Sequence, residues 1–192
     1  MTKQELRTQI KEALKTAAKI DPAKVVQRIS ALPEYKGAKY IFGYIPMPME
    51  VDITLLMDKA VEDGKTIAFP DKEIGVFRVG DRNWRQHLIT LENKTKTLSE
   101  GDTLDILNIL TSNVTIAPSE KLKGLILVPG LAFTEFGTRL GRGAGYYDQL
   151  LSVVEKSTIA DIISIGICKQ VQLVKNIPQQ PHDKNVRMVI AF

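Results

Sequence analysis

Apolar and polar residues fall in alternating blocks along this 192-residue chain, and the blocks predict strands and helices in turn. Short runs that are almost wholly apolar predict strands buried on both faces, because a half-exposed strand would carry a polar residue at every second position. Stretches with apolar residues every three or four positions predict amphipathic helices. The predicted strands span residues 39–45, 65–69, 125–128, 162–168 and 186–192. The predicted helices span residues 2–19 and 21–29, contain Ile53 to Val61, and begin near Tyr146.

The segment from residue 70 to residue 117 has a weaker pattern. Ile74 to Val79 and Val114 to Ala117 predict two further strands. Trp84 and His87 lie in a polar segment between them. We expect Trp84 to pack on the core or to cover a ligand, and His87 to be a solvated surface residue.

Predicted helices and strands alternate along the chain without an internal repeat, a low-complexity segment or a linker. Such alternation is typical of a parallel sheet with helices on both faces. A chain of this length fits one domain, which can bury roughly 70% of its unfolded surface. We therefore expect a single domain over residues 1–192, with a three-layer α/β/α architecture and a largely parallel sheet.

Composition narrows the class of protein. Apolar residues make up 44% and charged residues 25% of the chain, as in ordinary globular proteins. The net charge of +4 favours anionic ligands, but the basic residues form no dense run of the kind that binds nucleic acid. The single cysteine, Cys168, excludes an internal disulfide and suits a reducing compartment. Because no apolar signal core or membrane-length apolar stretch is visible, we expect a cytoplasmic protein without membrane contact.

One glycine-rich loop carries the strongest chemical signal. It follows the apolar run Leu125 to Val128 and precedes the helix that begins near Tyr146, with Asp148 in the first turn of that helix. The loop contains four glycines and two arginines: Gly137, Gly141, Gly143, Gly145, Arg139 and Arg142. A strand, a glycine-rich loop and a helix N-terminus together bring backbone N–H groups to an anion, and arginines add charge and paired donors. We interpret the loop as a nucleotide-phosphate site with Asp148 placed to hold a metal ion.

Glycine spacing alone leaves an alternative open, namely a flexible turn with solvated arginines. The loop is not a P-loop, since no Gly-Lys-Ser/Thr follows it, and Tyr146 occupies the third glycine position of the dinucleotide-binding fingerprint.

The complete string is more specific than the spacing of its glycines. Its elements are Pro129-Gly130-Leu131-Ala132-Phe133, Gly137, Arg139 to Gly143, and Gly145-Tyr146-Tyr147-Asp148. This string resembles the signature of the 5-formyltetrahydrofolate cyclo-ligase family, also called methenyltetrahydrofolate synthetases. The resemblance implies a fold akin to the sugar-phosphate isomerase and CoA-transferase group. It also implies ATP- and Mg²⁺-dependent ring closure of 5-formyltetrahydrofolate to 5,10-methenyltetrahydrofolate, with release of ADP and phosphate.

The same resemblance implies roles for individual residues. The ATP-binding set is Lys3, Arg7, Arg139, Leu140, Gly141, Arg142, Gly143, Ala144, Gly145, Tyr146 and Tyr147. The folate-binding set is Ile45, Glu50, Arg142, Gly143, Ala144, Gly145 and Tyr146. Within these sets Arg142 is the candidate for stabilising the transferring phosphoryl group, and Tyr146 for closing over folate. Asp148 and Asp183 are the implied magnesium ligands.

Two of these assignments also follow from spacing and position, each beside a simpler interpretation. Lys3 and Arg7 stand at positions i and i+4 of a predicted helix, where both could reach one polyphosphate or could form a solvated basic face. Glu50 follows a predicted strand, where it could bind a ligand at the sheet edge or could only favour the dipole of the next helix.

The chain matches the family's closing motif at Gln170, Ile177-Pro178 and His182-Asp183, and we expect His182 to orient that loop. It departs from the family at Thr134 and Arg187, where aspartates are common, and it lacks the usual Gly-Ile-x-Glu-Pro segment. We expect these departures to alter the support of the site rather than the reaction.

Two other functions remain as alternatives. One is a sugar-phosphate isomerase or CoA transferase of similar fold, and the other is a basic nucleic-acid-binding module. For the cyclo-ligase we expect small-molecule substrates only, no nucleic-acid partner, and a monomer or weak dimer.

Overall fold

The structure, a computed structural model, describes residues 1–70, 77–80, 121–156 and 160–192. Its strands are β1 (Tyr40–Phe42), β2 (Thr66–Pro70), β3 (Phe77–Gly80), β4 (Leu122–Pro129), β5 (Ala132–Phe133), β6 (Arg139–Leu140), β7 (Ala160–Cys168) and β8 (Met188–Ala191). Its α-helices are α1 (Lys3–Thr16), α2 (Pro22–Ser30), α3 (Pro33–Gly37), α4 (Thr54–Glu62) and α5 (Tyr146–Lys156), and a 3₁₀ turn spans Gln170–Gln172. Trp84, His87 and the strand predicted at 114–117 lie outside the described residues.

The central sheet is largely parallel, as the sequence predicts. Among the residues that the structure describes, six strands pair in the order β3-β2-β1-β4-β7-β8, and only β3 runs antiparallel, against β2. From β1 the chain moves to β2 on one side, whereas from β4 it moves to β7 and β8 on the other side. The junction of β1 and β4 is therefore a topological switch point, where ligands of open α/β sheets bind beyond the carboxyl ends of the strands.

Each face of the sheet has its own hydrophobic core, because successive side chains of a strand point to opposite faces. In β4, Leu125 and Leu127 pack in the core shared with α2, α3 and α4. Ile126 and Val128 pack in the other core, together with Leu150 and Leu151 of α5. The α/β class and the helices on both faces of the sheet are therefore confirmed.

Helix α1 lies outside this layered arrangement. Its apolar stripe, formed by Leu6, Ile10 and Leu14, packs on a third cluster that includes Leu140 and Ile177. Thr2 and Glu5 form a capping box at its first turn. Since Leu140 belongs to the glycine-rich segment, this packing brings the N-terminus of the chain to the loop.

Several predicted boundaries differ from the observed ones. The first helix ends at Thr16 rather than at 19, and the strand predicted over 39–45 keeps strand pairing only over β1. Leu32-Pro33 begins the short helix α3 instead of only ending α2, since proline is well tolerated in a first helical turn. The small β5–β6 hairpin inside the glycine-rich segment was not predicted. No helix in the described part of the chain is long and apolar enough to cross a membrane.

Candidate active site

A cavity of about 780 Å³ opens at the switch point between β1 and β4. The segment after β1, the glycine-rich segment after β4, the start of α1 and residues 180–183 form its walls. Every residue predicted for the site lines this one cavity: Lys3, Arg7, Ile45, Glu50, Arg139, Leu140, Gly141, Arg142, Gly143, Ala144, Gly145, Tyr146, Tyr147, Asp148 and Asp183. Residues from both ends of the chain thus meet around one space large enough for small-molecule ligands.

Arg139 and Asp148 form a buried ion pair beneath the glycine-rich loop. The arginine side chain is only 4% exposed, and its Nη2 donates to Oδ2 of Asp148 at 2.9 Å. The other carboxylate oxygen of Asp148 accepts from the backbone N–H of Lys184 at 3.1 Å. The guanidinium also lies 5.5 Å from the centre of the Tyr147 ring. Arg139 therefore fastens the start of α5 to the β6 strand as well as bringing positive charge to the cavity.

The Nε of Arg139 is buried and has no hydrogen-bond partner among the described residues. A buried donor without an acceptor is costly, so it marks a place where an added acceptor would be favourable.

Lys3 and Asp183 form a second ion pair that lines the cavity. The Nζ of Lys3 lies 2.5 Å from Oδ2 of Asp183, which also accepts from the backbone N–H of Gln180 at 2.6 Å. Burial acts to raise the pKa of Asp183, but the hydrogen bonds from Lys3 and Gln180 outweigh it and hold the pKa below the usual aspartate value. This pair ties the first turn of α1 to the loop before β8.

Arg7 reaches the glycine-rich loop directly. Its Nε donates to the carbonyl oxygen of Gly141 at 3.0 Å. Lys3 and Arg7, four residues apart, therefore bond to different protein groups, Asp183 and Gly141, although both line the cavity.

Glu50 and Arg142 form the third ion pair, which crosses the cavity. The Nη2 and Nε of Arg142 approach Oε1 of Glu50 at 3.0 and 3.3 Å. The second carboxylate oxygen of Glu50 accepts from the backbone N–H of Met47 at 3.0 Å. Sequence reasoning placed these two side chains in one site but did not predict that they would pair.

Three tyrosines line the cavity, and burial keeps the hydroxyl groups of two of them, Tyr44 and Tyr147, in the neutral form. Burial raises the pKa of Tyr44 well above its usual value, and the nearby Glu50 carboxylate adds to the effect. Burial likewise raises the pKa of Tyr147, with a further contribution from Tyr146. The Tyr44 hydroxyl donates to the carbonyl oxygen of Val51 at 2.7 Å, so it braces the backbone next to Glu50.

Asp148 and Asp183, the implied magnesium ligands, both line the cavity, but each already pairs with a cation. The described residues contain no group of three or more His, Cys, Asp or Glu side chains that could hold a metal ion by themselves. Magnesium is commonly bound by one or two carboxylates together with substrate phosphates. The donor set therefore fits a magnesium ion that arrives with a polyphosphate, whose oxygens can also satisfy Lys3 and Arg139.

The two departures from the family pattern have different settings. Thr134 is buried, and its Oγ1 accepts from the backbone N–H of Thr138 at 3.1 Å, which closes the turn between β5 and β6. Arg187 is exposed and does not line the main cavity, while its backbone N–H donates to Ser164. Thr134 thus stabilises the turn within the glycine-rich segment, whereas Arg187 lies outside the cavity lining.

Sequence reasoning missed several residues of the wall and one residue behind it. The missed wall residues are Thr2, Gln4, Tyr44, Met47, Pro129, Gly130 and Gln180, and His182, expected to orient its loop, lines the wall as well. Behind the wall, Gln172 is buried and donates from Nε2 to the carbonyl oxygens of Gly130 and Leu131 at 2.7 and 3.1 Å. Gln170, the glutamine that the sequence singled out, is exposed. The 3₁₀ turn Gln170–Gln172 buries the Gln172 side chain and leaves Gln170 exposed, and the sequence alone does not show this orientation.

The switch-point cavity, its glycine-rich loop and its paired basic and acidic side chains define an α/β enzyme with a site for anionic small molecules. Comparison with known proteins makes this specific. The model of the 5-formyltetrahydrofolate cyclo-ligase family matches residues 1–191, and the chain belongs to that family. Its relatives are ligases by name, which favours the ligase interpretation over the isomerase, transferase and nucleic-acid-binding alternatives.

Relatives agree with this assignment, and solved structures match the fold. A probable 5-formyltetrahydrofolate cyclo-ligase of Schizosaccharomyces pombe is 30% identical over 175 residues, which cover 87% of this chain and 81% of that protein. The mouse 5-formyltetrahydrofolate cyclo-ligase is 25% identical and covers 98% of this chain and 92% of its own. The fold matches the NMR structure of Aquifex aeolicus 5,10-methenyltetrahydrofolate synthetase with a TM-score of 0.65, at 22% identity, over 100% of this chain and 90% of that one. A Mycoplasma pneumoniae 5,10-methenyltetrahydrofolate synthetase matches with a TM-score of 0.63, at 21% identity, over 99% and 98% of the two chains.

Proposed function

We propose that this protein converts 5-formyltetrahydrofolate to 5,10-methenyltetrahydrofolate, with ATP and Mg²⁺, and releases ADP and phosphate. The observation that carries the proposal is the combination of two chemistries in one cavity. A glycine-rich loop with basic side chains forms one wall, and the anchored carboxylate of Glu50 faces it. The first suits a triphosphate and the second suits the N–H groups of a pterin ring.

The chemical difficulty of the reaction is the departure of the formyl oxygen. Oxide or hydroxide leaves carbon poorly, whereas a phosphate ester leaves well. In the proposed sequence the formyl oxygen attacks the γ-phosphorus and ADP departs. The N10 nitrogen then attacks the activated formyl carbon, the bond from that carbon to the phosphorylated oxygen breaks, and phosphate leaves with that oxygen. Proton loss from N10 gives the cyclic methenyl product.

The protein's contribution to such a sequence is positioning and charge stabilisation rather than covalent chemistry. We assign the triphosphate to Lys3, Arg7 and Arg139, with the N–H groups of the loop as further donors. Arg142 stabilises the charge that develops on the transferring phosphoryl group. Asp148 and Asp183 hold the magnesium ion, which supplies charge neutralisation on the phosphates when it is bound.

For the folate we assign the pterin to Glu50, the apolar wall to Ile45 and the cover to Tyr146. A carboxylate accepts hydrogen bonds from a ring N–H and an amino group in parallel. The nearby residues Gly143, Ala144 and Gly145 are placed to contact either ligand, since they stand between the two walls.

We also propose a cellular setting, which rests on the composition of the chain. One cysteine, no dense basic run and small-molecule substrates favour a cytoplasmic enzyme that acts as a monomer or weak dimer without a nucleic-acid partner.

Incubation of the purified chain with 5-formyltetrahydrofolate, ATP and Mg²⁺ tests the function. The proposal predicts the absorbance of the methenyl product together with one ADP per product. Omission of ATP, or chelation of Mg²⁺, should stop both. Product formation at an unchanged rate without ATP would refute the proposal, and so would ATP hydrolysis without any methenyl product.

A further inference from the structure

We propose that Arg142 exchanges between Glu50 and the nucleotide phosphates, so that ATP binding releases Glu50 for the folate and the two substrates bind cooperatively. This inference rests on the proposed function and deepens it. It starts from the ion pair that joins the glycine-rich loop to the residue assigned to the pterin. A single guanidinium bonded to the folate-binding carboxylate links the two substrate sites.

Glu50 is the fixed member of the pair. Its side chain is only 10% exposed, and Oε2 accepts from the backbone N–H of Met47. Its own backbone N–H donates to the carbonyl oxygen of Met47 at 2.8 Å. The buried hydroxyl of Tyr44 holds the carbonyl of the next residue, Val51. These contacts keep Oε1 of Glu50 facing the cavity whether or not Arg142 is bonded to it.

Arg142 is the member that can move. Its side chain is 41% exposed, compared with 18% for Lys3 and 4% for Arg139, the basic members of the other two pairs. The backbone after it passes through Gly143 and Gly145, at φ values of 119° and 71°. Apart from the adjacent residues, no atom lies within 4 Å of a Cβ built at either glycine, so the loop is unobstructed at these two positions. The Glu50–Arg142 pair is therefore the easiest of the three to open.

The two possible partners of Glu50 exclude each other. Both Nε and Nη2 of Arg142 donate to Oε1, the carboxylate oxygen that faces the cavity. A pterin offers a ring N–H beside an amino group, which is the same arrangement of donors as in a guanidinium. Folate must therefore displace Arg142 from Oε1. A phosphate group is a strong alternative acceptor for arginine, so ATP makes that displacement easier.

Linkage makes the effect reciprocal and sets its size. If ATP raises the affinity for folate by some factor, folate raises the affinity for ATP by the same factor. An ion pair with one exposed member is worth little, so we expect a factor of about two to five.

Binding measurements with three proteins test the inference. The ligand is 5-formyltetrahydrofolate, titrated calorimetrically with and without saturating Mg²⁺ and the non-hydrolysable ATP analogue AMP-PNP. The proteins are the wild type, Arg142→Ala and, as a control that loses the same charge outside the cavity, Arg187→Ala. In the wild type and in Arg187→Ala, the analogue should tighten folate binding about two- to fivefold. In Arg142→Ala, folate should bind without the analogue as tightly as wild type binds it with the analogue, and the analogue should add nothing.

The outcomes distinguish a failure of the Arg142 exchange from a failure of the proposed function. Folate binding by Arg142→Ala that is weaker than wild type in the absence of the analogue, or coupling that persists in this variant, would overturn the exchange. Absence of coupling in the wild type would also overturn the exchange, but it would not contradict the proposed enzymatic turnover. If the wild type does not bind 5-formyltetrahydrofolate under either condition, it is the proposed function that fails.

Discussion

At the scale of single residues, the cavity is organised by pairs of opposite charge. Asp183, Asp148 and Glu50 each hold one basic side chain, and each also accepts a backbone N–H. A phosphate that enters must compete with these acceptors for the basic groups. The carboxylates therefore fix the positions of the basic side chains. In this way they define the geometry of the proposed anion site before a ligand is bound.

Glu50 provides the first test at this scale. Replacing Glu50 by Gln keeps its shape but removes the charge from its proposed hydrogen bonds to the pterin, which is worth about 1.5–3 kcal/mol. We expect the KM for 5-formyltetrahydrofolate to rise roughly ten- to a hundredfold, with a much smaller change in the KM for ATP. Asp52→Asn, the same change at the exposed neighbour that accepts from Thr54, serves as the control and should leave both constants near wild type. Equal weakening of the two substrates by Glu50→Gln would contradict the assignment.

Arg142 provides the second test, because its loss should change the kinetics in a different way from Glu50→Gln. Its proposed interaction strengthens as charge spreads over the transferring phosphoryl group, so its loss should lower kcat more than it weakens ATP binding. Arginines in this role are worth on the order of a thousandfold or more in rate. Steady-state kinetics of Arg142→Ala beside Arg187→Ala measures the difference. A change in KM alone, with kcat preserved, would exclude the role in phosphoryl transfer.

At the scale of elements, the β5–β6 hairpin positions the glycine-rich loop against the end of the chain. Gly137 in its turn has a φ of 88°, and its carbonyl oxygen accepts from the backbone N–H of Val186 at 2.9 Å. A Cβ built on Gly137 would lie 2.1 Å from the carbonyl oxygen of Val186. Only glycine satisfies both the backbone conformation and this close approach.

Gly137→Ala should consequently destabilise the protein by more than the conformational cost alone, which is about 1–2 kcal/mol. Gly64 offers a matched control, because it has a φ of 72° but no atom within 4 Å of a built Cβ. Chemical unfolding should give a loss of about 1 kcal/mol for Gly64→Ala and a clearly larger loss for Gly137→Ala. Similar losses at the two sites would mean that the contact with Val186 relaxes without strain.

Helix α1 is the other element that completes the site, since the Lys3–Asp183 pair fastens its first turn. The folded-state pKa of Asp183 is lowered, so the pair stabilises the protein fully above the ordinary carboxyl pKa of about 3.9 and loses its effect as pH falls through the lower folded value. Asp183→Asn should cost about 1–3 kcal/mol of unfolding free energy at pH 7 and less near pH 2, below the ordinary carboxyl pKa.

Urea unfolding at both pH values measures this dependence. Glu12→Gln removes the carboxylate from an exposed pair on the same helix, Lys15–Glu12, and should have little effect at either pH. A cost of Asp183→Asn that is the same at both pH values would show that the charge of Asp183 does not stabilise the fold.

At the scale of the whole molecule, the apolar runs carry most of the fold. The apolar runs predict strands buried on both faces, and such strands are typical of a parallel sheet. The observed strands β1, β4 and β7 overlap these runs. The β5–β6 hairpin could not be predicted, because strands of two residues are too short to show a period. Helix α3 was missed for a similar reason, since five residues and a proline look like the end of the helix before them.

The set of residues that line the cavity was predictable, whereas the ion pairs among them were not. The string around Arg142 and the residues matched at both ends of the chain predict the set that lines the cavity. The pairs join residues 180 positions apart for Lys3 and Asp183, and 92 apart for Glu50 and Arg142. Such contacts depend on how α1 and the loops pack against the sheet, and no local pattern in the sequence encodes them.

In the proposed mechanism, ATP activates the formyl oxygen by phosphorylating it. The most direct measurement follows that oxygen with an isotopic label. 5-Formyltetrahydrofolate labelled with heavy oxygen in the formyl group is turned over with unlabelled ATP and Mg²⁺, and the released phosphate is analysed by mass spectrometry. Phosphorylation of the formyl oxygen predicts one heavy oxygen in each phosphate released. Unlabelled phosphate, with the heavy oxygen found in water, would contradict the mechanism.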